Sequence, residues 1–331
     1  MKRLRVGLLG PGGIGARHVA ALKNAGDRFD FVAACGRDLT RTGQFVATHG
    51  GEAFTRFEAM LHQAQLDLLI VASPPSARDG EVEAAAAHGV HLLVEKPIAL
   101  DLDIAAAMTR AVERAGVVAA VGFMYRFGDA VRRWGALQRA GGIGAPGLFS
   151  GSYHCNALHA PWWRERASSG GQMLEQVIHL IDLVRHTMGE PDTVYARAAN
   201  LFHQATPGYD IEDVSALLFG WDDGRVASLN ASNIAVPGRW QKEWRIVAER
   251  ATSRFQDWNT ATITHTAESP ARDEVIAGAT DPFVAQLIDL HDAITTSRAP
   301  MIPLAEGEAS LRLALAARQS ADERREIRLR S

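Results

Sequence analysis

The sequence is poor in cysteine, with only Cys35 and Cys155 in 331 residues. One falls in a predicted strand and the other beside His154, at no spacing that fits a disulfide framework or a cysteine-built metal module. Two isolated thiols suit a reducing compartment, so a cytoplasmic location is expected. An excess of either charge is also lacking: 35 Lys and Arg against 38 Asp and Glu leave a net charge of −3, without a basic block. Neither nucleic acid nor a membrane surface is therefore an expected partner. No apolar run approaches the roughly 18 residues of a membrane span. The run in "MKRLRVGLLGPGG" follows basic residues as in a signal peptide, but Gly10 and Pro11 cut it short. Internal repeats and low-complexity linkers are absent as well. What remains, 47% hydrophobic and 22% charged residues, is the composition of a globular protein long enough for two closely packed domains.

The first third alternates short Val/Leu/Ile runs ("LRVGLLG", "FDFVAACG", "LDLLIVASPP", "HLLVEKP", "VVAAVGF") with helix-like stretches. Near-continuous apolar strands separated by helices predict βαβ units, hence an α/β domain with a doubly wound parallel sheet over residues 1–124. Beyond that the texture changes. All seven tryptophans lie between Trp134 and Trp258, and "DVSALLFGWDDGRVASLNAS" alternates around a hairpin signal at Asp222-Asp223-Gly224. Residues 125–331 are expected to form an α+β domain with an antiparallel sheet, its C-terminal helices packing back on the first domain.

Between the first strand and helix lies Gly10-x-Gly12-x-x-Gly15, with Gly13 and Ile14 inside it. Glycines there permit a tight turn and close approach of backbone to a pyrophosphate, and the helix N-terminus supplies N–H groups and positive dipole. An acidic residue that would bind the ribose of NAD is expected about 20 positions later. "AACGRD" offers Gly36 instead, followed by Arg37. Without a carboxylate to repel it, a 2′-phosphate can pair with Arg37, so NADP(H) is favoured and NAD(H) remains possible. In the other arrangement Arg37 points into solvent and Asp38 bonds the ribose. Glu95-Lys96-Pro97 ends the fifth strand, where ligands bind in such sheets. A lysine there is either a rim charge or a cation held beside the nicotinamide.

The later stretch "SSGGQMLEQVIHLIDLVRH", Ser168 to His186, is entered through two glycines and is otherwise greasy. At about 100° per residue, Glu175, His179, Asp182 and His186 fall in one stripe. The stripe either lines a buried cleft or is solvated. Before it, "YHCNALHAPWWRER" mixes donors with aromatic rings, a pairing suited to a polyhydroxylated ligand. Tyr153, Asn156, Trp162 and Trp163 are its candidate contacts, with Arg126 framing the cleft; for the tryptophans, plain packing is the other reading. His154, His159, His179 and His203 show no zinc-binding helix spacing, so no metal is expected. Cys155 and Ser152 lack a nucleophile-elbow context.

The motif set GxGxxG, "SPP" (Ser73, Pro74), "EKP", "VGFMYRF" and "GGQMLEQVIHLID", in this order across the whole chain, resembles the glucose-fructose oxidoreductase / inositol dehydrogenase / MocA family. The resemblance implies a Rossmann domain followed by a large open, mostly antiparallel sheet that forms a homodimer or homotetramer. It implies hydride transfer between a nicotinamide and a secondary alcohol or ketone of a sugar, inositol or related polyol, with Lys96, Glu175 and His179 around the reacting carbon. It places Gly10, Gly12, Gly13, Ile14, Gly15, Arg37, Ser73, Pro74, Glu95 and Lys96 against the cofactor, and Asp182 in a supporting role. A catalytically silent dinucleotide sensor on the same fold is the alternative. Three positions depart from the usual pattern: Glu175 replaces an aspartate, Arg78 stands where a histidine is frequent, and Gly36 replaces the ribose-binding acid.

Overall fold

The computed structural model describes residues 2–329. The chain divides into two compact units, residues 1–124 with 281–309, and residues 125–280 with 310–331. In the first, β1 (Leu4–Leu9), α1 (Gly13–Asn24), β2 (Phe29–Cys35), α2 (Leu39–His49), β3 (Glu52–Phe54), α3 (Phe57–Gln63), β4 (Leu68–Val71), α4 (Glu81–Ala87), β5 (His91–Val94), α5 (Leu102–Ala115) and β6 (Ala119–Val121) alternate. The strands form a six-stranded sheet in the order β3-β2-β1-β4-β5-β6, every pairing parallel. β4 and β6 are buried throughout, as expected of parallel strands covered on both faces. The order reverses between β1 and β4, which opens a crevice at their carboxyl ends.

The second unit contains α6 (Asp129–Arg139), β7 (Pro146–His154), the single turn α7 (Arg166–Ser169), α8 (Ile178–Met188), β8 (Thr193–Ala199), β9 (Val214–Gly220), β10 (Val226–Ser232), β11 (Gln241–Ala248), β12 (Ala251–Phe255), β13 (Thr260–His265) and β14 (Arg272–Ala277). Two further helices, α9 (Pro282–Thr296) and α10 (Leu304–Glu323), precede a short β15 (Ile327–Arg328). Phe283, Leu287 and Leu290 of α9 join Leu4, Val6, Leu8 and Val19 in one hydrophobic core, which places α9 in the first unit. β6 also depends on the returning chain, since Val121 N donates to Ile302 O at 3.1 Å.

Among the described residues, nine strands of the second unit make a mixed sheet, β14-β13-β12-β11-β7-β10-β9-β8-β15, in which only β7 and β10 pair in parallel. The hairpin signal at residues 222–224 joins β9 and β10. Side chains alternate as period-2 strands require. Phe149, Leu217, Phe219, Leu229, Trp244 and Ile246 are buried, whereas Leu148, Tyr195, Leu218, Val247 and Val275 on the opposite face are exposed.

Candidate active site

In the first unit the glycine motif sits at the β1–α1 turn. Gly10 has φ +96°, and a Cβ there would lie 2.6 Å from Ser73 N, so both conformation and space demand glycine. A Cβ at Gly15 would lie 2.6 Å from Gly10 O, which fixes how closely α1 approaches the turn. Gly12 and Gly13 differ, because a Cβ on either would meet nothing within 4 Å. The space beyond them is open, as a diphosphate cradle needs. No acidic residue occupies the first turn of α1 and no side chain caps it. Its first N–H groups, beside the 39%-exposed Ile14, carry the helix's positive end outward. These residues fit a dinucleotide.

At the end of β2, a Cβ on Gly36 would lie 2.6 Å from Thr42 Oγ1 and 2.8 Å from Pro11 Cγ, so packing keeps any carboxylate out of that position. Arg37 is exposed. Asp38 caps α2, its Oδ1 accepting from Arg41 N at 2.9 Å.

The turn after β5 is built from buried charge. His18 Nε2 donates to Glu95 Oε1 at 2.7 Å, and Glu95 Oε2 accepts from Lys96 N at 3.2 Å. Burial works to raise the Glu95 pKa. The His18 hydrogen bond and charge, with Lys96 and Arg78, outweigh it and hold the carboxyl below the usual range. Arg78, only 4% exposed, donates to Glu95 O at 2.7 Å, to Pro97 O, and to Ser73 O at 2.8 Å. The residue that departs from the family's frequent histidine therefore clamps the carbonyls on either side of Lys96 and ties them to the Ser73-Pro74 turn.

In the second unit Gly170 and Gly171 adopt φ +80° and +95° before the helical stretch. A Cβ on Gly171 would strike Glu212 Oε2 at 2.6 Å. Glu212, which the sequence did not single out, accepts from Met173 N at 2.9 Å and so caps the helix; burial pushes its pKa up. Residues Met173–Val177 form a π-helical turn and α8 follows from Ile178. A stripe spaced for an α-helix is thus broken between Glu175 and His179: Glu175 lies on the wider turn, a local form frequent at functional sites. Both are buried, at 7% and 8% exposure. His186, farther along α8, is half-buried.

Arg126 and Asp182 form a buried bidentate pair, Nε to Oδ2 at 2.8 Å and Nη2 to Oδ1 at 2.6 Å. Next to Arg126, the ring of Tyr125 stacks on His179 with centroids 4.4 Å apart and on Trp258 at 4.6 Å. The Tyr125 and Tyr153 hydroxyls share a hydrogen bond, and burial drives both phenols well above their usual pKa. Opposite Tyr153 in the β7–β11 register stands Lys242, whose ammonium lies 5.2–6.0 Å from the ring centroids of Trp258, Trp240, Tyr153 and Tyr125. The signal for Lys242 was present in the sequence: it is a cation in phase with the inward Trp244 and Ile246 of β11.

Several expected contact residues are committed to the protein itself. Trp163 is buried with Tyr209 and Ile211, and Trp162 packs on that cluster. Asn156 Nδ2 donates to Ala235 O at 2.8 Å. The four histidines weighed as metal ligands have separate surroundings: His154 meets Asn230, His159 meets Gln176, His179 meets Tyr125 and His203 meets Asp213.

A parallel sheet in this strand order with a glycine cradle at its switch point, followed by a domain carrying a buried acid and imidazole, defines the class of NAD(P)-dependent oxidoreductases. More narrowly, the chain belongs to the glucose-fructose oxidoreductase / inositol dehydrogenase / MocA family: residues 4–123 match its oxidoreductase domain with an NAD-binding Rossmann fold, and residues 131–254 its C-terminal domain. The uncharacterized oxidoreductase YrbE of Bacillus subtilis is 24% identical over 96% of this chain and 94% of its own. The inositol 2-dehydrogenase of Rubrobacter xylanophilus is 27% identical over 94% and 88%. A levoglucosan dehydrogenase solved with NADH and levoglucosan superposes over 100% of both chains with a TM-score of 0.92, at 18% identity.

Proposed function

We propose that the chain oxidises or reduces a sugar, inositol or related polyol at a secondary alcohol or ketone, with NADP(H) preferred over NAD(H). Bound nicotinamide supplies the hydride donor or acceptor. His179 takes the proton from the substrate hydroxyl oxygen and returns it in the reverse direction, since an imidazole titrates near operating pH. Glu175 orients the imidazole or a neighbouring hydroxyl. Lys96, fixed through its own N–H and the two carbonyls flanking it, stabilises negative charge developing on that oxygen. The observation that carries this reading is the buried His179 stacked on Tyr125, with Glu175 one π turn before it.

The cofactor preference is supported by Gly36, where packing keeps out a ribose-binding acid, by the exposed Arg37 and by the use of Asp38 as a helix cap. Replacing Arg37 by Ala should weaken NADP(H) far more than NAD(H) in a fluorescence titration; equal losses would remove the phosphate role. His179→Ala should lower kcat by about 100-fold or more. Near-normal turnover would take His179 out of the proton-transfer role. We further infer a homodimer or homotetramer built on the exposed sheet face with Leu148, Leu218 and Val247, and a reducing cytoplasmic setting that suits two buried thiols. Among the described residues no helix is long and apolar enough to cross a membrane.

A further inference from the structure

We propose that Gln176 reads the substrate: its Oε1 accepts a hydrogen bond from one hydroxyl of the sugar or polyol, at a carbon other than the reacting one. The inference rests on the reading of the second unit as the substrate half. Gln176 sits in the π turn next to Glu175 and is 3% exposed. A directed chain of buried hydrogen bonds orients its amide. Ser215 Oγ donates to Gln172 Oε1 at 2.6 Å, and Gln172 Nε2 donates to Asn233 Oδ1 at 2.9 Å. The same oxygen takes the Cys155 thiol hydrogen, with Sγ at 3.5 Å. A thiol has one hydrogen, so toward Gln176 the sulfur can only accept, and it receives from Nε2 at 3.3 Å. Gln176 Nε2 also lies 3.2 Å from His159 Nε2, which takes its second hydrogen. Both amide donors are thereby engaged. Oε1 is left buried, and among the described residues no donor reaches it.

This acceptor borders the proposed acid/base. Glu175 beside it in the chain and Cys155 bonded to it both act on the Tyr153 phenol, which shares a hydrogen bond with Tyr125, and Tyr125 stacks on His179. A buried acceptor without a donor is costly, and the cost is recovered when a ligand brings an O–H to it. A site built this way rejects an analogue lacking that hydroxyl far more strongly than a pocket of apolar contacts does. A hydroxyl that is oxidised loses its hydrogen and becomes a carbonyl, which an amide oxygen repels. The hydroxyl held at Gln176 therefore belongs to another carbon. The half-site separates its tasks: His179 handles the proton of the reacting carbon, and Gln176 fixes which way round the sugar lies.

Trp163 and Trp240 flank His159, with ring centroids 3.9 and 5.4 Å away, so ligand binding is readable from intrinsic fluorescence without turnover. myo-Inositol, D-glucose and D-galactose, each with its single-deoxy analogues, would be titrated into the wild-type protein and into Gln176→Met and Gln176→Glu. For at least one sugar, wild type should bind saturably and lose about tenfold in Kd when one particular hydroxyl is deleted. Gln176→Met should bind the parent sugar about tenfold more weakly and respond less than about threefold to that deletion. Gln176→Glu, whose carboxylate is the stronger acceptor, should lose more than wild type on the same deletion, and deletions elsewhere should cost all three proteins alike. Absence of saturable binding by every sugar, or a deletion profile that Gln176→Met leaves unchanged, overturns the proposal. Should Gln176→Met not fold, Gln176→Glu decides, and an unchanged profile there overturns it equally. Initial rates with both cofactors form a separate arm: the Gln176 pattern in binding without turnover of any sugar would sink the oxidoreductase reading and leave the assignment of Gln176 standing.

Discussion

Replacing Asp182 by Asn tests the second unit at its most constrained charge. Arg126 is 6% exposed and Asp182 1%, and both hydrogen bonds between them are 2.8 Å or shorter. Asparagine keeps the shape but strands the guanidinium charge in a site closed to water. Breaking one partner of a buried pair costs about 3–5 kcal/mol. At about 2–4 °C per kcal/mol for a unit of this size, the unfolding midpoint should fall by roughly 6–20 °C. All seven tryptophans lie between Trp134 and Trp258, within the second unit, so fluorescence-detected melting follows that unit alone. The double replacement Arg126→Met with Asp182→Leu removes both charges and should recover most of the loss, because apolar groups of similar size often match a buried pair. Turnover should fall in both variants, since Tyr125, whose ring stacks on His179, is the neighbour of Arg126. A midpoint lowered by less than about 2 °C in Asp182→Asn, or a double variant no better than the single one, would refute the reasoning.

Arg78→Met removes the donor shared by three carbonyls, two of them in buried contacts, and should cost about 2–4 kcal/mol in urea unfolding followed by circular dichroism; a loss under about 1 kcal/mol would dissolve the clamp. Burial pushes the Cys35 thiol up to about 11, with Glu58 and Glu81 adding to it, and burial likewise raises Cys155. Both should resist a disulfide reagent at pH 8 until the protein unfolds, and stoichiometric labelling of the native state would contradict their burial. Glu274 is held at about 2 by the hydrogen bond from Arg133, with His265 assisting, against an ordinary 4.5. Its folded pKa lies below the unfolded one, so its stabilisation is present above about 4.5 and fades as pH falls toward 2. Arg133 is 45% exposed, which limits the contribution to below about 1 kcal/mol, and Glu274→Gln should flatten the acid limb of the stability profile by no more than that.

The strands and helices of the first unit were legible because a parallel sheet writes itself as apolar runs at regular intervals, and Gly10 and Gly15 because turn and helix approach admit nothing larger there. The same logic put Glu175 and His179 on one helical stretch, where both are buried. It missed the π turn, since a periodic reading assumes one pitch throughout and a single wider turn leaves no compositional mark. The pairing of Arg126 with Asp182 left no trace in the sequence because the two lie 56 positions apart. Arg78 stood out only as a departure from a frequent histidine, because its bonds go to main-chain carbonyls, which every residue possesses and no side-chain motif records. Lys242 was passed over among alternating strand residues, where only knowledge of the facing rings gives an inward cation its meaning.

The return of α9 to the first unit has a consequence for the order of synthesis. The nucleotide-binding half is the first part of the chain to leave the ribosome, but the core around Leu4, Val19 and Leu22 lacks Phe283, Leu287 and Leu290 until the second unit has been made. At about 5–20 residues per second, that interval is roughly 10–40 seconds. During it an apolar face of α1 and one side of β6 stand uncovered. A nascent chain stalled before residue 281 should therefore be captured by chaperones and cut by protease within residues 1–124, and the full chain released from the ribosome should not.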